Sequence, residues 1–191
     1  MTKAVQGADE GAGPFTERCY SIDIGQARLA PAALMQRIQA HPEEFSPDLL
    51  AAFEKEKGQP QRMQEGDEYH IRILGPWNGS VRVTEVAPQH FELCTLEGHP
   101  EAGTIRFSLR QLPGQPGTLR FEIRSQARAR DGVVAFAYGT LGVGKQVQEQ
   151  TWVTFCQRVA EASGGQALGP VQVDTTEHDG AGQQHDHHER R

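Results

Sequence analysis

Apolar and polar residues alternate with a period of two through the middle of the chain, from about residue 68 to residue 138. This alternation is typical of strands that bury one face. Turn sequences separate the alternating runs, among them Asn78-Gly79, residues 113–117 and Asp131-Gly132. The pattern therefore predicts six antiparallel strands, at residues 68–74, 80–86, 90–96, 104–112, 118–125 and 133–138.

The chain ahead of these strands predicts one further strand and two short helices. Residues 18–25 alternate, with Tyr20, Ile22 and Ile24 on one side. Residues 31–41 place Leu34, Met35 and Ile38 on one helical stripe. Residues 46–58 predict the second helix, because Ser46 suits the N-cap, Pro47 the first helical position and Gly58 the stop.

A long helix is predicted to follow the strands, from about Lys145 to Ala162. Its apolar residues recur at i, i+3, i+4 and i+7, and are Trp152, Phe155, Cys156 and Val159. This stripe would cover the apolar face of the sheet. The predicted fold is α+β, with about seven strands curved around the C-terminal helix in the order β-α-α-β6-α.

The two ends of the chain have few residues to bury. Residues 1–14 and residues 164–191 are rich in Gly, Ala and polar residues, so both segments are expected to be disordered. A single domain is therefore expected over residues 15–163. Cys19, Cys94 and Cys156 are far apart and form no CxxC pair, which favours buried free thiols.

Charge and composition exclude several partners. The net charge of -6 and pI of about 5.7 argue against nucleic acid as a partner. No apolar run reaches the length of a membrane span, and the start lacks a secretory signal, so a cytoplasmic protein is expected. The sequence predicts no cofactor and leaves the oligomeric state open.

The stretch GTLGVGKQ, residues 139–146, is close to a phosphate-binding loop. Such a loop needs Ser or Thr after the Lys, to bind magnesium, but Gln146 follows Lys145. It also needs a parallel strand and helix arrangement, which the alternating runs do not predict. We interpret this stretch as the entry to the last helix.

The element order resembles the helix-grip arrangement of the START and birch-pollen-allergen superfamily. Within it, TLEGHPEAGTIRF resembles the signature of the domain of unknown function 1990 family, approximately YGTLxGHxExGEERF. The matching residues are Thr95, Leu96, Gly98, His99, Pro100, Glu101, Gly103, Arg106 and Phe107. The departures are Leu93 for Tyr, Cys94 for Gly, and Thr104 and Ile105 for two Glu. The resemblance implies a cavity between sheet and helix and an apolar small molecule as partner, without an established reaction.

The leading hypothesis is a non-catalytic module that binds an apolar or lipid-like ligand. The ligand would contact some of the inward-facing residues and tyrosine hydroxyls, namely Tyr69, Ile71, Val83, Phe91, Leu93, Phe107, Phe121, Tyr138, Trp152 and Phe155.

Two alternatives remain open. An enzyme of cyclase or hydrolase type would use His99 as general base, oriented by Glu101. An interaction module would have a packed interior and an exposed apolar patch. The tail residues His185, His187 and His188 are weak candidates for metal ligands, because a disordered segment must lose entropy to bind an ion.

Overall fold

A computed structural model describes residues 3–47, 51–73, 78–131, 143–178 and 184–190. The helices are α1 (Pro31–Ala40) and α2 (Val143–Ala162), with short 3-10 helices at Ala8–Glu10 and Pro42–Glu44. The strands are β1 (Ala12–Gly25), β2 (Ala51–Lys57), β3 (Glu68–Ile73), β4 (Gly79–Ala87), β5 (His90–Thr95), β6 (Glu101–Gln111), β7 (Leu119–Ala129), β8 (Gln166–Ala167), β9 (Gln172–His178) and β10 (Gln184–Arg190).

All the paired strands are antiparallel and form one sheet, in the order β10-β9-β1-β7-β6-β5-β4-β3-β2. The two-residue β8 pairs separately with the end of β1. Register pairs such as Phe91 with Phe107 and Phe107 with Ile123 bring the alternating apolar residues to one face. The α+β class and the antiparallel meander are confirmed.

The helix α2 packs its predicted stripe against this face. Phe155 is fully buried, and its ring centroid lies 5.3 Å from that of Phe107 and 5.9 Å from that of Phe121. The helix α1 buries Leu34, Met35 and Ile38, as its spacing predicts. None of the helices within the described ranges is long and apolar enough to cross a bilayer.

The helix predicted at residues 46–58 is wrong. Residues 51–57 form β2, which pairs with β3 and so adds a strand to the edge of the sheet. Phe53 is buried there, and its ring approaches Tyr69 and Trp152 edge-on. Backbone pairing and the burial of Phe53 outweigh the helix propensity of Ala, Glu and Lys, which is a weak preference. Residues 48–50 lie outside the described ranges.

The sheet is larger than the seven strands predicted, because the segments expected to be disordered also pair. Nine strands lie along the main path of the described sheet. In β9 and the residues just before it, Val173 and Val171 are buried. The free edge of β1 offers unpaired N–H and C=O groups, so pairing with β9 satisfies them despite the polar composition of the tail. The strand predicted at residues 133–138 lies outside the described residues.

Candidate functional site

The segment that carries the family-like signature is the turn between β5 and β6. Leu96 is fully buried, and the N–H of His99 donates to the carbonyl oxygen of Leu96 at 2.9 Å. Between them Gly98 has a φ of 93°, a left-handed conformation that favours glycine. The chain therefore turns tightly here and directs the following residues toward the interior.

His99 is buried at this turn, with 8% of its surface exposed. Its Nδ1 lies 3.0 Å from both the backbone N–H and the carbonyl oxygen of Glu101, so it accepts from the N–H when the proton is on Nε2 and donates to the carbonyl oxygen when the proton is on Nδ1. The ring lies directly on the backbone of Gly79, where an added Cβ would be 2.0 Å from His99 Cδ2. Burial lowers the pKa of His99 below its ordinary value, so the imidazole is neutral near pH 7.

The Glu101 carboxylate belongs to a separate set of polar contacts. Its Oε2 accepts from Gln148 Nε2 on α2 at 2.9 Å, and Gln148 Oε1 accepts from Arg18 Nη1 on β1, also at 2.9 Å. Arg18 faces inward because it has the same strand parity as Tyr20, which is buried in the core. Hydrogen bonds thus join β1, α2 and β6 between the sheet and the helix, while the Glu101 backbone orients His99.

A cavity of about 50 Å³ lies beside these contacts, between the sheet and α2. Its apolar lining residues are Ile71, Val81, Pro100, Ile105 and Trp152. Its polar lining residues are Thr95, His99, Glu101, Thr104, Ser125 and Gln148. Gly103 and Ala127 also line it, and their small size leaves the space unfilled.

The cavity exists because inward-facing residues become small toward one end of β6 and β7. There Gly103 pairs with Ala127, and Ile105 pairs with Ser125. Farther along the same strands, the register pairs large residues such as Phe107 with Ile123, and these fill the space under α2.

Nine of the ten predicted ligand residues are buried together in the core, and only two of the nine line this cavity. Those two are Ile71 and Trp152. The others pack against one another, as the rings of Phe91 and Phe107 do at 4.6 Å between centroids. The packed residues are Tyr69, Val83, Phe91, Leu93, Phe107, Phe121 and Phe155. Tyr138 lies outside the described residues.

The structure describes only part of the stretch that is close to a phosphate-binding loop and of the tail with its histidines. Residues 139–142 lie outside the described ranges, and Lys145 and Gln146 belong to the first turn of α2. His185, His187 and His188 belong to β10, whose side chains are not described. Among the described residues, no group of three or more His, Cys, Asp or Glu could hold a metal ion.

The three cysteines are free, and burial raises the pKa of each thiol. Cys94 and Cys156 are buried as predicted, whereas Cys19 is half-buried and its pKa is raised to about 11. A reactive thiol needs a lowered pKa. The described environments therefore keep all three protonated near neutral pH.

Sequence reasoning missed Gln6, Arg18, Ser125 and Gln148, and it noted Thr95 only as part of the signature. Strand parity with Tyr20 and Ile123 could have assigned Arg18 and Ser125 to the inner face. No local signal marks Gln6, because its contacts are all distant in sequence: its Nε2 donates to the carbonyl oxygens of His99 and Glu101.

Comparisons with known proteins bear on both fold and family. A hypothetical protein, jhp0584, from Helicobacter pylori is similar in structure, with a TM-score of 0.55 and 8% identity over 85% of this chain and 98% of that chain. Norcoclaurine synthase from Thalictrum flavum is similar with a TM-score of 0.51 and 8% identity, over 85% of this chain and 94% of that one. A point mutant of that synthase gives a TM-score of 0.50 and 8% identity, over 79% and 98% of the two chains. At these identities the likeness concerns the fold alone.

The sequence comparisons give a family but no close relative. The search of curated proteins finds no significant match. The model of a protein family described as a domain of unknown function, DUF1990, matches residues 18–158, which is well over half of the chain. The chain therefore belongs to the DUF1990 family, and its antiparallel sheet packed against a C-terminal helix is the predicted helix-grip fold.

Proposed function

We propose that this chain binds a small molecule whose apolar end enters the cavity between the sheet and α2. The observation that carries the proposal is the change from large to small inward residues along β6 and β7, which leaves space beside polar groups. A concave site with an apolar wall and a few polar groups is the usual form of a ligand site. Norcoclaurine synthase, which has the same fold, has been crystallised as a point mutant in complex with a transition state analogue.

The size of the cavity limits what it can take. Drug-sized ligands occupy pockets of about 300–1,000 Å³, and a cavity of about 150 Å³ accepts benzene. A cavity of about 50 Å³ therefore suits the end of a short chain rather than a whole lipid. Ile105 and Trp152 would contact that end, and the Ser125 hydroxyl would bond to a polar group of the ligand.

Enzymatic activity is the less supported alternative. His99 lines the cavity and is neutral near pH 7, as a general base must be. However, its Nδ1 bonds to the Glu101 backbone, and the Glu101 carboxylate bonds to Gln148. The pair of imidazole and carboxylate that this hypothesis requires is therefore not formed.

The interaction alternative has less support still. It needs a contiguous apolar patch, but within the described residues the exposed large apolar side chains are Val5 and Leu168. Val5 lies beside the end of β5, and Leu168 beside β1.

Titration with short-chain probes tests the binding proposal. We expect 1-butanol to shift the NMR signals of the Ile71, Val81 and Ile105 methyl groups and of the Trp152 indole in a saturable manner. Butyrate and butylamine, titrated in the same way, would show which polar group the site prefers. Native mass spectrometry after exposure to a lipid extract would identify a larger ligand.

Variants make this test specific to the cavity. Ala127→Leu fills the space and should abolish the probe-induced shifts, whereas Ala33→Leu makes the same change on the exposed face of α1 and should not alter them. Ser125→Ala preserves the volume of the cavity and should weaken the binding only of those probes that form a hydrogen bond with the Ser125 hydroxyl. If no probe gives saturable shifts in the wild-type protein and the lipid extract leaves nothing bound, the proposal fails.

A further inference from the structure

The N-terminal segment, residues 3–10, lies against the turn that carries His99, although the family match begins only at residue 18. The N–H of Glu97 donates to the Ala4 carbonyl oxygen at 2.9 Å, and Val5 forms a bridge with Leu96. Arg82 Nη2 donates to the carbonyl oxygen of Lys3 at 2.7 Å. Backbone hydrogen bonds therefore join this segment to the turn and to β4.

Gln6 takes the place of a strand residue between β5 and β6. The two strands pair with each other as far as Cys94 and Thr104 and then separate. Beyond that point the Gln6 N–H donates to the Thr95 carbonyl oxygen at 2.7 Å, and the Gly103 N–H donates to the Gln6 carbonyl oxygen at 3.0 Å. The Thr95 hydroxyl also donates to the Gln6 carbonyl oxygen, at 2.8 Å. Both Thr95 and Gly103 line the cavity.

The Gln6 side chain reaches the backbone of His99 and Glu101, two of the polar residues that line the cavity. It is buried, with 7% of its surface exposed, and its Nε2 lies 3.4 Å from the His99 carbonyl oxygen and 3.2 Å from that of Glu101. One amide group thus bonds to the backbone on both sides of Pro100. Because His99 Nδ1 in turn bonds to the Glu101 backbone, the position of the imidazole depends on this backbone segment.

We propose that Gln6 is a positioning residue for the ligand site, and that its side-chain amide sets the direction of His99 and Glu101 toward the cavity. Without the amide, the buried His99 carbonyl group and the partly buried Glu101 carbonyl group lose this donor, and the turn relaxes toward another arrangement. The statement about ligand affinity rests on the proposed function. The statement about His99 does not, because it concerns only the geometry of the turn.

The test compares two glutamines with the same bonding pattern. Gln6→Met removes the side-chain donor but keeps the length of the side chain and the backbone bonds. Gln39→Met is the matched control, because Gln39 Nε2 also donates to two carbonyl oxygens, of Ala87 at 2.8 Å and of His90 at 3.3 Å. Neither of these two residues lines the cavity.

Two readouts follow from the proposal. The first is the His99 imidazole titration by NMR, in which Gln6→Met should move the pKa toward its ordinary value as the ring becomes more hydrated. The charges that face the ring are those of Glu101, His70 and Arg130, and the substitution changes none of them. The second is the affinity for 1-butanol, which should fall about fivefold, the factor that corresponds to one lost hydrogen bond. Gln39→Met should change neither readout.

The outcomes separate this proposal from the proposed function. If Gln6→Met lowers stability as Gln39→Met does but leaves the His99 titration unchanged, Gln6 has no positioning role. If 1-butanol does not bind the wild-type protein, the proposed function is in doubt, while the His99 titration still decides the role of Gln6. Should Gln6→Met not fold, Gln6→Asn keeps the amide but is too short to reach both carbonyl groups, and the same two readouts apply.

Discussion

At the scale of single residues, the environment of His99 makes the protein sensitive to acid. The ring is buried and packs on Gly79, and burial lowers its pKa. In the unfolded chain the same imidazole takes up a proton near its ordinary pKa of about 6.5. Between that pKa and the lower pKa of the folded state, the unfolded chain binds more protons, so stability is lost as the pH falls through this window.

His99→Asn is expected to reduce this loss of stability. The Asn Oδ1 can accept from the Glu101 N–H in place of Nδ1, but it does not titrate. Urea unfolding from about pH 7.5 to about pH 5.5 should therefore show a steeper fall in the free energy of unfolding for wild type than for the variant. A difference between the two proteins that stays constant with pH would contradict this assignment of the buried imidazole.

At the scale of elements, α2 covers the apolar face of the sheet through a few large side chains. Phe155 is fully buried, and its ring lies near those of Phe45, Phe107 and Phe121, which belong to other elements. The aromatic contacts therefore join the helix, the sheet and the segment after α1. The opposite side of the same helix is exposed at Gln157.

Phe155→Ala is expected to lower the free energy of unfolding by about 3–5 kcal/mol, the usual effect of removing a buried aromatic ring. Gln157→Ala is the control on the exposed side of α2 and should stay within about 0.5 kcal/mol of wild type. Both values can be measured by urea unfolding. A loss below about 1.5 kcal/mol for Phe155→Ala would mean that α2 contributes little to the core.

At the scale of the whole molecule, the C-terminal segment extends the sheet beyond β1. Ten residues of β1 pair with β7 on one side, and β9 pairs on the other. Val171 and Val173 are buried in this arrangement. Without β9, the edge of β1 would be open to another chain.

Truncation after Ser163 should therefore lower stability and promote self-association. The loss of two buried valines suggests at least about 3 kcal/mol, which corresponds to a fall in Tm of about 6–12 °C for a chain of this size. Truncation after His178 retains β9 and should preserve most of the stability. Thermal melts and light scattering of the two truncated proteins check this. If the protein truncated after Ser163 keeps the wild-type Tm and does not self-associate, that result would instead support the disordered tail that composition predicts.

The sequence predicted those parts of the fold that local periodicity controls. Alternation assigned the inward residues of β3 to β7, and helical spacing assigned the stripe of α2. The prediction failed for β2, where Ser46 and Pro47 suggest a helix start but pairing with β3 decides the outcome. It also failed for β9, whose polar residues give no strand signal apart from Val173.

For the candidate site, the sequence pointed to the turn with His99 and Glu101 but not to their partners. Gln6, Arg18 and Gln148 are all far from His99 and Glu101 in the chain, and only the folded structure brings them together. The predicted central cavity is largely filled, because periodicity tells which face a residue occupies and not how much volume stands opposite it.

The sequence by itself thus determined the class of fold, the face that each alternating residue occupies and the helix that covers that face, because each of these follows from the local period of apolar residues. The tertiary structure alone decided where the interior is filled, where it stays open, and which polar segments join the sheet. These depend on register and on contacts between residues far apart in the chain, which local periodicity does not encode.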